Sequence, residues 1–182
     1  MNIWHDIDPD RIEPDTFIAV IEISKGGKAK YELDKKTGLL ILDRILSTSM
    51  QYPANYGFIP RTYANDFDPL DVLVLCSESI VPLTLVSCSP IGILNMTDGG
   101  LKDEKIIAIC NDDLFYNSYT DVKQLPPHLF AEIRHFYEVY KALEQKQTMV
   151  QEIEGRVHAK KVIRECISNY NKKFCLNPDA AV

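Results

Sequence analysis

Over roughly its first two-thirds the chain alternates short apolar runs with clusters of Gly, Pro, Asn and Asp. Residues 16–24, 30–34, 39–46, 71–76, 83–96 and 105–111 are β-branched or Leu-rich and bounded by turn formers, which predicts strands. Lys35-Lys36-Thr37-Gly38 reads as a tight hairpin connection. The period then changes. After Pro126-Pro127, Leu129, Ile133, Phe136, Tyr140 and Leu143 recur at alternating spacings of four and three, which places them on one face of an amphipathic helix. Gly155 punctuates the chain, and Val162, Ile163, Cys166, Ile167, Tyr170 and Phe174 mark a second helix. Strands first and helices later predict an α+β fold, a small curled antiparallel sheet or barrel with helices packed against it. No repeat, low-complexity tract or linker divides residues 1–182, so one domain is expected.

Composition narrows the class of protein. A length of 182 residues with 46% hydrophobic content is enough for a sizeable core. The net charge of −6 argues against a nucleic-acid binder, which needs a basic face, and suits a protein that concentrates cations. The start, Met1-Asn2-Ile3-Trp4-His5-Asp6, lacks a signal-peptide pattern, and the stretch 80–94 is broken by Pro82 and Pro90 before it could span a membrane. The five cysteines show no C-x-x-C spacing; Cys76, Cys88 and Cys110 read as buried hydrophobes, and a reducing cytoplasm is expected.

The densest chemistry is Asp66-Phe67-Asp68-Pro69-Leu70-Asp71, three carboxylates at the mouth of an apolar run. In an extended segment Asp66 and Asp68 point the same way, and Asp71 opens the strand that follows. Two carboxylates about 5 Å apart repel by roughly 3 kcal/mol at an effective dielectric near 20, so a cation belongs among them. Mg2+ takes such oxygens, usually together with a phosphate. A solvated acidic turn is the plainer reading of the motif alone. Glu22 interrupts the apolar run Val20-Ile21-Glu22-Ile23, which requires a partner such as Lys28 or Lys30, or a polar cavity. Lys30 and Glu32 share a strand face that by itself reads as solvated. Arg44 shares a face with Leu40, Leu42 and Leu46 and must either reach water or meet an anion. Residues 98–105 form a second acidic segment, expected to be a loop, with Asp98, Asp103 and Lys105. Tyr56 lies in a Pro-bounded aromatic stretch, and Tyr140 and Lys141 fall late on the first helix; packing is the default for both tyrosines. No histidine pair has zinc spacing. Two acidic segments for metals beside Arg and Lys for an anion make a phosphoryl-transfer site.

At this point the chain resembles the soluble family I inorganic pyrophosphatases, and its short length resembles the bacterial members. Glu22 in Val-Ile-Glu-Ile, Lys30-Tyr31-Glu32, Asp43-Arg44, Asn55-Tyr56-Gly57 and the 66–71 motif occur in the family's order. Met96-Thr97-Asp98, Asp103-Glu104-Lys105 and His135-Phe136-Tyr137-Glu138-Val139-Tyr140-Lys141 continue it, so the likeness covers about residues 15–145. The resemblance implies an OB-like five-stranded antiparallel β-barrel with flanking α-helices, and hydrolysis of pyrophosphate to two orthophosphates with several Mg2+ ions, Mn2+ or Zn2+ being substitutes. It implies that Asp66, Asp71 and Asp103 bind the principal metals, with Asp71 bridging two. Asp98 with Asp103, and Glu22 and Glu32 partly through water, would serve metals that arrive with substrate. Asp68 would take a proton from the attacking water, while Lys30, Arg44, Tyr56, Lys105, Tyr140 and Lys141 hold phosphoryl oxygens. A homohexamer is implied by the same analogy, with no nucleic-acid or membrane partner.

The chain departs from the family at three positions: Ser89 where a basic residue is usual, Gly99 where Glu is usual, and Arg156 where Trp is common. Two rival readings remain at the level of sequence. An aspartyl-nucleophile phosphatase would place its D-x-D after a strand, whereas here the strand follows. An OB-like module holding a structural Ca2+ would leave Lys30 and Arg44 without a role.

Overall fold

The expected strands form, and two segments that carry no strand signal join them. In the computed structural model, which describes residues 2–144 and 148–175, eight strands and two helices are seen. They are β1 (Phe17–Ile23), β2 (Ala29–Leu33), β3 (Leu40–Ile45), β4 (Asn55–Ile59), β5 (Leu70–Leu75), β6 (Leu85–Asp98), β7 (Leu101–Cys110), α1 (Pro127–Val139), β8 (Thr148–Gly155) and α2 (Arg156–Tyr170). The last residues of the C-terminal tail, 176–182, lie outside the described residues.

Hydrogen-bonded pairing runs β1–β4–β5–β7–β6 and returns from β6 to β1, so five strands close on themselves as an OB-like barrel requires. The ring is not wholly antiparallel as expected: β5 and β7 run parallel, with Asp71 opposite Lys105. Closure depends on β6, whose early residues Leu85 to Cys88 pair with β1 while its later part pairs with β8. Its register slips between Pro90 and Gly92, and such bulges bend a long strand enough to serve two partners. The hairpin β2–β3 forms a separate two-stranded sheet beside the barrel. Its turn is the predicted one, with Gly38 at φ 73° and its N–H donating to the Asp34 carbonyl at 2.8 Å.

Because side chains alternate across a strand, β5 and β7 each feed two apolar clusters. Val72, Val74, Ile106 and Ala108 pack with Ala159, Val162, Ile163 and Cys166 of α2. Leu73, Leu75, Ile107 and Ile109 pack with Ile133, Phe136 and Tyr137 of α1. Burial on both faces explains why these strands read as unbroken apolar runs. A third cluster joins Trp4, Val20, Leu33, Phe58 and Tyr170, and Leu33 thereby fastens the hairpin to the barrel.

Four elements differ from what the periodicity predicts. β4 is short and aromatic, so it gives no alternation. β8 is an edge strand in which polar and apolar residues are mixed without strict alternation. The heptad-like spacing extends through Leu143, yet α1 ends at Val139 and Leu143 is exposed in a 3-10 turn. α2 starts earlier than its apolar face, at Arg156, whose N–H donates to Asp121 Oδ2 at 3.1 Å. That cap comes from 35 residues away in sequence, so no local capping motif announces it.

Gly57 on β4 lies where a Cβ would stand 1.8 Å from the Val20 carbonyl oxygen of β1. The strand spacing therefore has no room for any side chain there. Gly57→Ala is expected to destabilise the fold by roughly 3 kcal/mol or more, measured as a large fall in Tm or as loss of folded protein; an unchanged Tm would contradict this pairing.

Candidate active site

The parallel pairing of β5 and β7 builds the centre of the site. Asp71 and Leu73 share one face of β5, and Asp103, Lys105 and Ile107 share the matching face of β7, so the in-register partners Asp71 and Lys105 meet where the apolar cluster ends. The Lys105 ammonium donates to Asp71 Oδ2 at 2.7 Å, Asp103 Oδ1 at 2.9 Å and Tyr56 Oη at 3.3 Å, with only 3% of its side chain exposed. The Tyr56 hydroxyl donates to the same oxygen of Asp71. Burial opposes the lysine's charge, but the Asp71 and Asp103 carboxylates outweigh it and hold the Lys105 pKa well above its ordinary value. Burial raises the Tyr56 hydroxyl, and Asp71 adds to the effect, so the group stays protonated and able to donate.

These residues sit in an open cavity of about 460 Å³, and every site residue expected from the sequence lines it: Glu22, Lys30, Glu32, Arg44, Tyr56, Asp66, Asp68, Asp71, Asp98, Asp103, Lys105, Tyr140 and Lys141. The routes by which they arrive differ from the linear reading in three places. The 66–68 segment is not extended. It is a turn in which Phe67 has φ 71°, the Asp68 N–H donates to Asp66 Oδ1 at 3.2 Å, and the Ala64 N–H donates to the Asp68 carbonyl at 2.8 Å. The second acidic segment is not a loop: Asp98 ends β6, residues 101–105 are strand, and only Gly99-Gly100 connects them. Both glycines have positive φ (56° and 86°), as a two-residue hairpin turn demands, which accounts for Gly99 where the family usually has Glu. Tyr140 and Lys141 come after α1 rather than on it, with Tyr140 as its C-terminal cap.

Glu22 takes the cavity option rather than an ion pair. The β1–β4 register slips between Ile21 and Ile23, so Glu22 has no residue opposite it and turns to the cavity. Its burial, followed by the charge of Asp71, raises its pKa well above the ordinary carboxylate value. On the hairpin, Lys30 pairs with Glu32, and with Asp43 at 3.1 Å. Arg44 donates from Nη1 to Asp43 at 2.5 Å and from Nε to Glu144 at 2.9 Å, while its buried Nη2 has no partner among the described residues. Lys141 pairs with Asp98, and Lys35 pairs with Asp68. The linear reading gave no role to Lys35, Asp43 or Glu144. Lys35 sits in a hairpin turn that reads as solvent-facing, and no sequence spacing connects Glu144 to a residue a hundred positions earlier.

The donor set is one that suits a hard divalent cation: carboxylate oxygens from β1, β2, the 66–71 turn, β6 and β7 around a single cavity. Among the described residues no three of these groups close around one point, and the ammonium groups of Lys30, Lys105 and Lys141 engage four of them. The excess of negative charge is nonetheless felt. Burial and then the Asp71 charge push the Asp66 pKa up to about 6, the direction expected of a carboxylate withdrawn from water beside like charge.

Comparison with known proteins agrees with this geometry. The inorganic pyrophosphatase family model matches residues 19–171. The chain belongs to the inorganic pyrophosphatase family, a family of hydrolases. A soluble inorganic pyrophosphatase of Chlamydomonas reinhardtii is 47% identical over 171 residues, covering 94% of this chain and 89% of the relative. One from Solanum tuberosum is 56% identical over 147 residues, covering 81% and 70%. Among solved structures, the family member from Helicobacter pylori superposes with a TM-score of 0.85 at 40% identity, covering 88% of this chain and 96% of that one. The Thermus thermophilus member gives 0.86 at 35% identity, with 94% and 99% covered. Bacterial structures thus share the fold, while the algal and plant sequences are more similar. The family's usual basic residue at position 89 is replaced by a serine that bonds Asn111 at 2.8 Å, outside the cavity lining. Arg156, at the start of α2, pairs with Asp15 at 3.5 Å, also outside the lining.

The raised Asp66 pKa has a definite sign in stability. A carboxylate whose folded pKa lies above its unfolded value costs stability as pH rises from about 4 to above 6, because the unfolded chain ionises first. Metal-free Asp66→Asn is therefore expected to be more stable than the parent at pH 7, by on the order of 1 kcal/mol after allowance for solvent screening. The advantage should vanish near pH 4. Calorimetry in chelator at the two pH values checks this, and a variant less stable at pH 7 would contradict it.

Proposed function

We propose that the chain hydrolyses inorganic pyrophosphate to two orthophosphates in this cavity, with Mg2+ as cofactor and Asp68 as proton acceptor. The observation that carries the reading is the convergence on one cavity of carboxylates suited to cations and of lysine, arginine and tyrosine donors suited to phosphoryl oxygens. Asp66, Asp71 and Asp103 are the residues that would hold the principal metals, with Asp98, Glu22 and Glu32 serving others. Bound there, Mg2+ would neutralise pyrophosphate charge and lower the pKa of a coordinated water.

The chain's own groups divide the remaining work. Lys30, Arg44, Lys105 and Lys141 supply positive charge to the cavity, and Arg44 Nη2, unpartnered among the described residues, has a donor to offer an anion. Tyr56 and Tyr140 donate as neutral hydroxyls, since burial raises the pKa of both. These donors bind and orient the two phosphoryl groups, so that electrostatic stabilisation is in place before charge develops. Asp68 lies on a half-exposed turn at the mouth, where a water has access, and its carboxylate takes the proton from the attacking water.

Purified protein should release phosphate from pyrophosphate on addition of Mg2+, with little release from organic phosphates or in chelator. Asp68→Asn should retain Mg2+ binding by calorimetry while losing about 10²–10⁴-fold in turnover. Near-normal turnover would reject the base assignment, and absence of phosphate release by the parent would reject the function.

Two further parts of the reading concern the setting. All five thiols are unpaired, four of them buried, which supports a reducing compartment such as the cytoplasm, and no described helix is long and apolar enough to cross a membrane. Leu39, Ile41, Leu42 and Ile45 are exposed on and beside β3, an apolar surface that supports self-association. Sedimentation is expected to give a homo-oligomer, a hexamer by family analogy; a monomer at micromolar concentration would overturn this.

A further inference from the structure

Most carboxylates of the cavity meet a cation of strand or helix-end origin: Lys105 for Asp71 and Asp103, Lys141 for Asp98, Lys30 for Glu32 and Asp43. Asp68 differs. Among the described residues its one ion-pair partner is Lys35, from the turn of the β2–β3 hairpin. We propose that Lys35 is a positioning residue for hydrolysis, its ammonium holding the Asp68 carboxylate in the orientation from which it accepts the proton. The inference rests on the reading of Asp68 as proton acceptor.

Three observations support it. First, the turn that carries Lys35 is built rather than loose. The Asp34 carboxylate accepts from the Lys36 N–H at 3.2 Å and the Thr37 hydroxyl at 2.6 Å, and the Lys35 carbonyl accepts from Asn2 Nδ2 at 3.0 Å. Leu33, two residues earlier, is buried against the barrel with Phe58. Second, the ammonium lies between two groups fixed to the same stretch of chain. It stands 5.9 Å from the Trp4 ring centroid, and the Trp4 indole N–H donates to the Thr62 carbonyl at 3.0 Å. The Thr62 hydroxyl in turn accepts from the Leu70 N–H at 2.8 Å, bracketing the turn that presents Asp68. Third, both members of the pair are about half exposed (48% and 50%). Such a pair contributes little to stability, so its removal can be read in turnover without a loss of fold. A general base must lie within hydrogen-bond reach of its proton, and small misplacements are costly in rate.

The test is steady-state hydrolysis of pyrophosphate with Mg2+ by Lys35→Met and Lys35→Arg, each in the parent and in the Asp68→Asn background, with Tm and calorimetric Mg2+ affinity measured alongside. Lys35→Met should lower kcat about 10-fold with KM within about twofold, and leave Tm and Mg2+ affinity unchanged. Lys35→Arg should recover most of kcat. In the Asp68→Asn background Lys35→Met should cost nothing more, as expected of a residue acting through Asp68. Full kcat in Lys35→Met would overturn the proposal. So would a raised KM at unchanged kcat, which would make Lys35 a substrate contact, or an equal loss in both backgrounds. A parent without activity, or an unimpaired Asp68→Asn, would instead strike the underlying reading, and the control arms separate the two failures.

Discussion

The site depends on one buried ammonium. Lys105 is nearly inaccessible to solvent and lies within hydrogen-bond distance of two carboxylates and a tyrosine hydroxyl. A lone charge at that depth would be forced neutral, and lone carboxylates would repel each other. Here the Asp71 and Asp103 carboxylates outweigh burial and hold the Lys105 pKa well above its ordinary value. The parallel register of β5 and β7 makes the arrangement unavoidable, because it sets Asp71 opposite Lys105 and leaves Asp103 on the same face two residues away. Loss of the lysine alone would leave uncompensated buried charge, which is far costlier than never having had the pair.

Around that centre the molecule carries charge that does not favour its own folding. Glu22 and Asp66 are both held in surroundings that penalise ionisation, first by burial and then by the charge of Asp71. Strain of this kind clusters at functional positions. The apolar clusters on the two faces of the sheet carry the fold, and the cavity draws on the stability they supply.

The sequence made the chemistry more legible than the architecture. Some candidate site residues stand out because they are rare in their local setting: a carboxylate inside an apolar strand, an arginine on a leucine-rich one, a triplet of aspartates beside a proline. Lys30, Glu32, Tyr56, Tyr140 and Lys141 look ordinary in theirs and are singled out only by the family resemblance, yet they line the same cavity. What stayed hidden was non-local. β8, with its mixed polar and apolar sequence, is recruited by pairing with β6, and α2 begins where Asp121, far upstream, accepts from its first N–H. The parallel pairing of β5 with β7 has no sequence signature distinct from an antiparallel one, so the ring was expected to be antiparallel. Lys35 escaped notice because a lysine in a Lys-Lys-Thr-Gly turn is what any solvent-facing hairpin would carry.

The hairpin β2–β3 joins no strand of the ring, yet it carries Lys30, Lys35 and Arg44, whereas Asp66, Asp71, Asp98 and Asp103 all belong to the ring or its connections. Hairpin and ring nonetheless both contribute residues of either sign to the cavity, Lys30, Arg44 and Glu32 from the one and Lys105 with the aspartates from the other. A shift of the hairpin against the ring would carry cationic donors and a carboxylate together, so the spacing of opposite charges across the cavity is set by how the two sheets seat on each other.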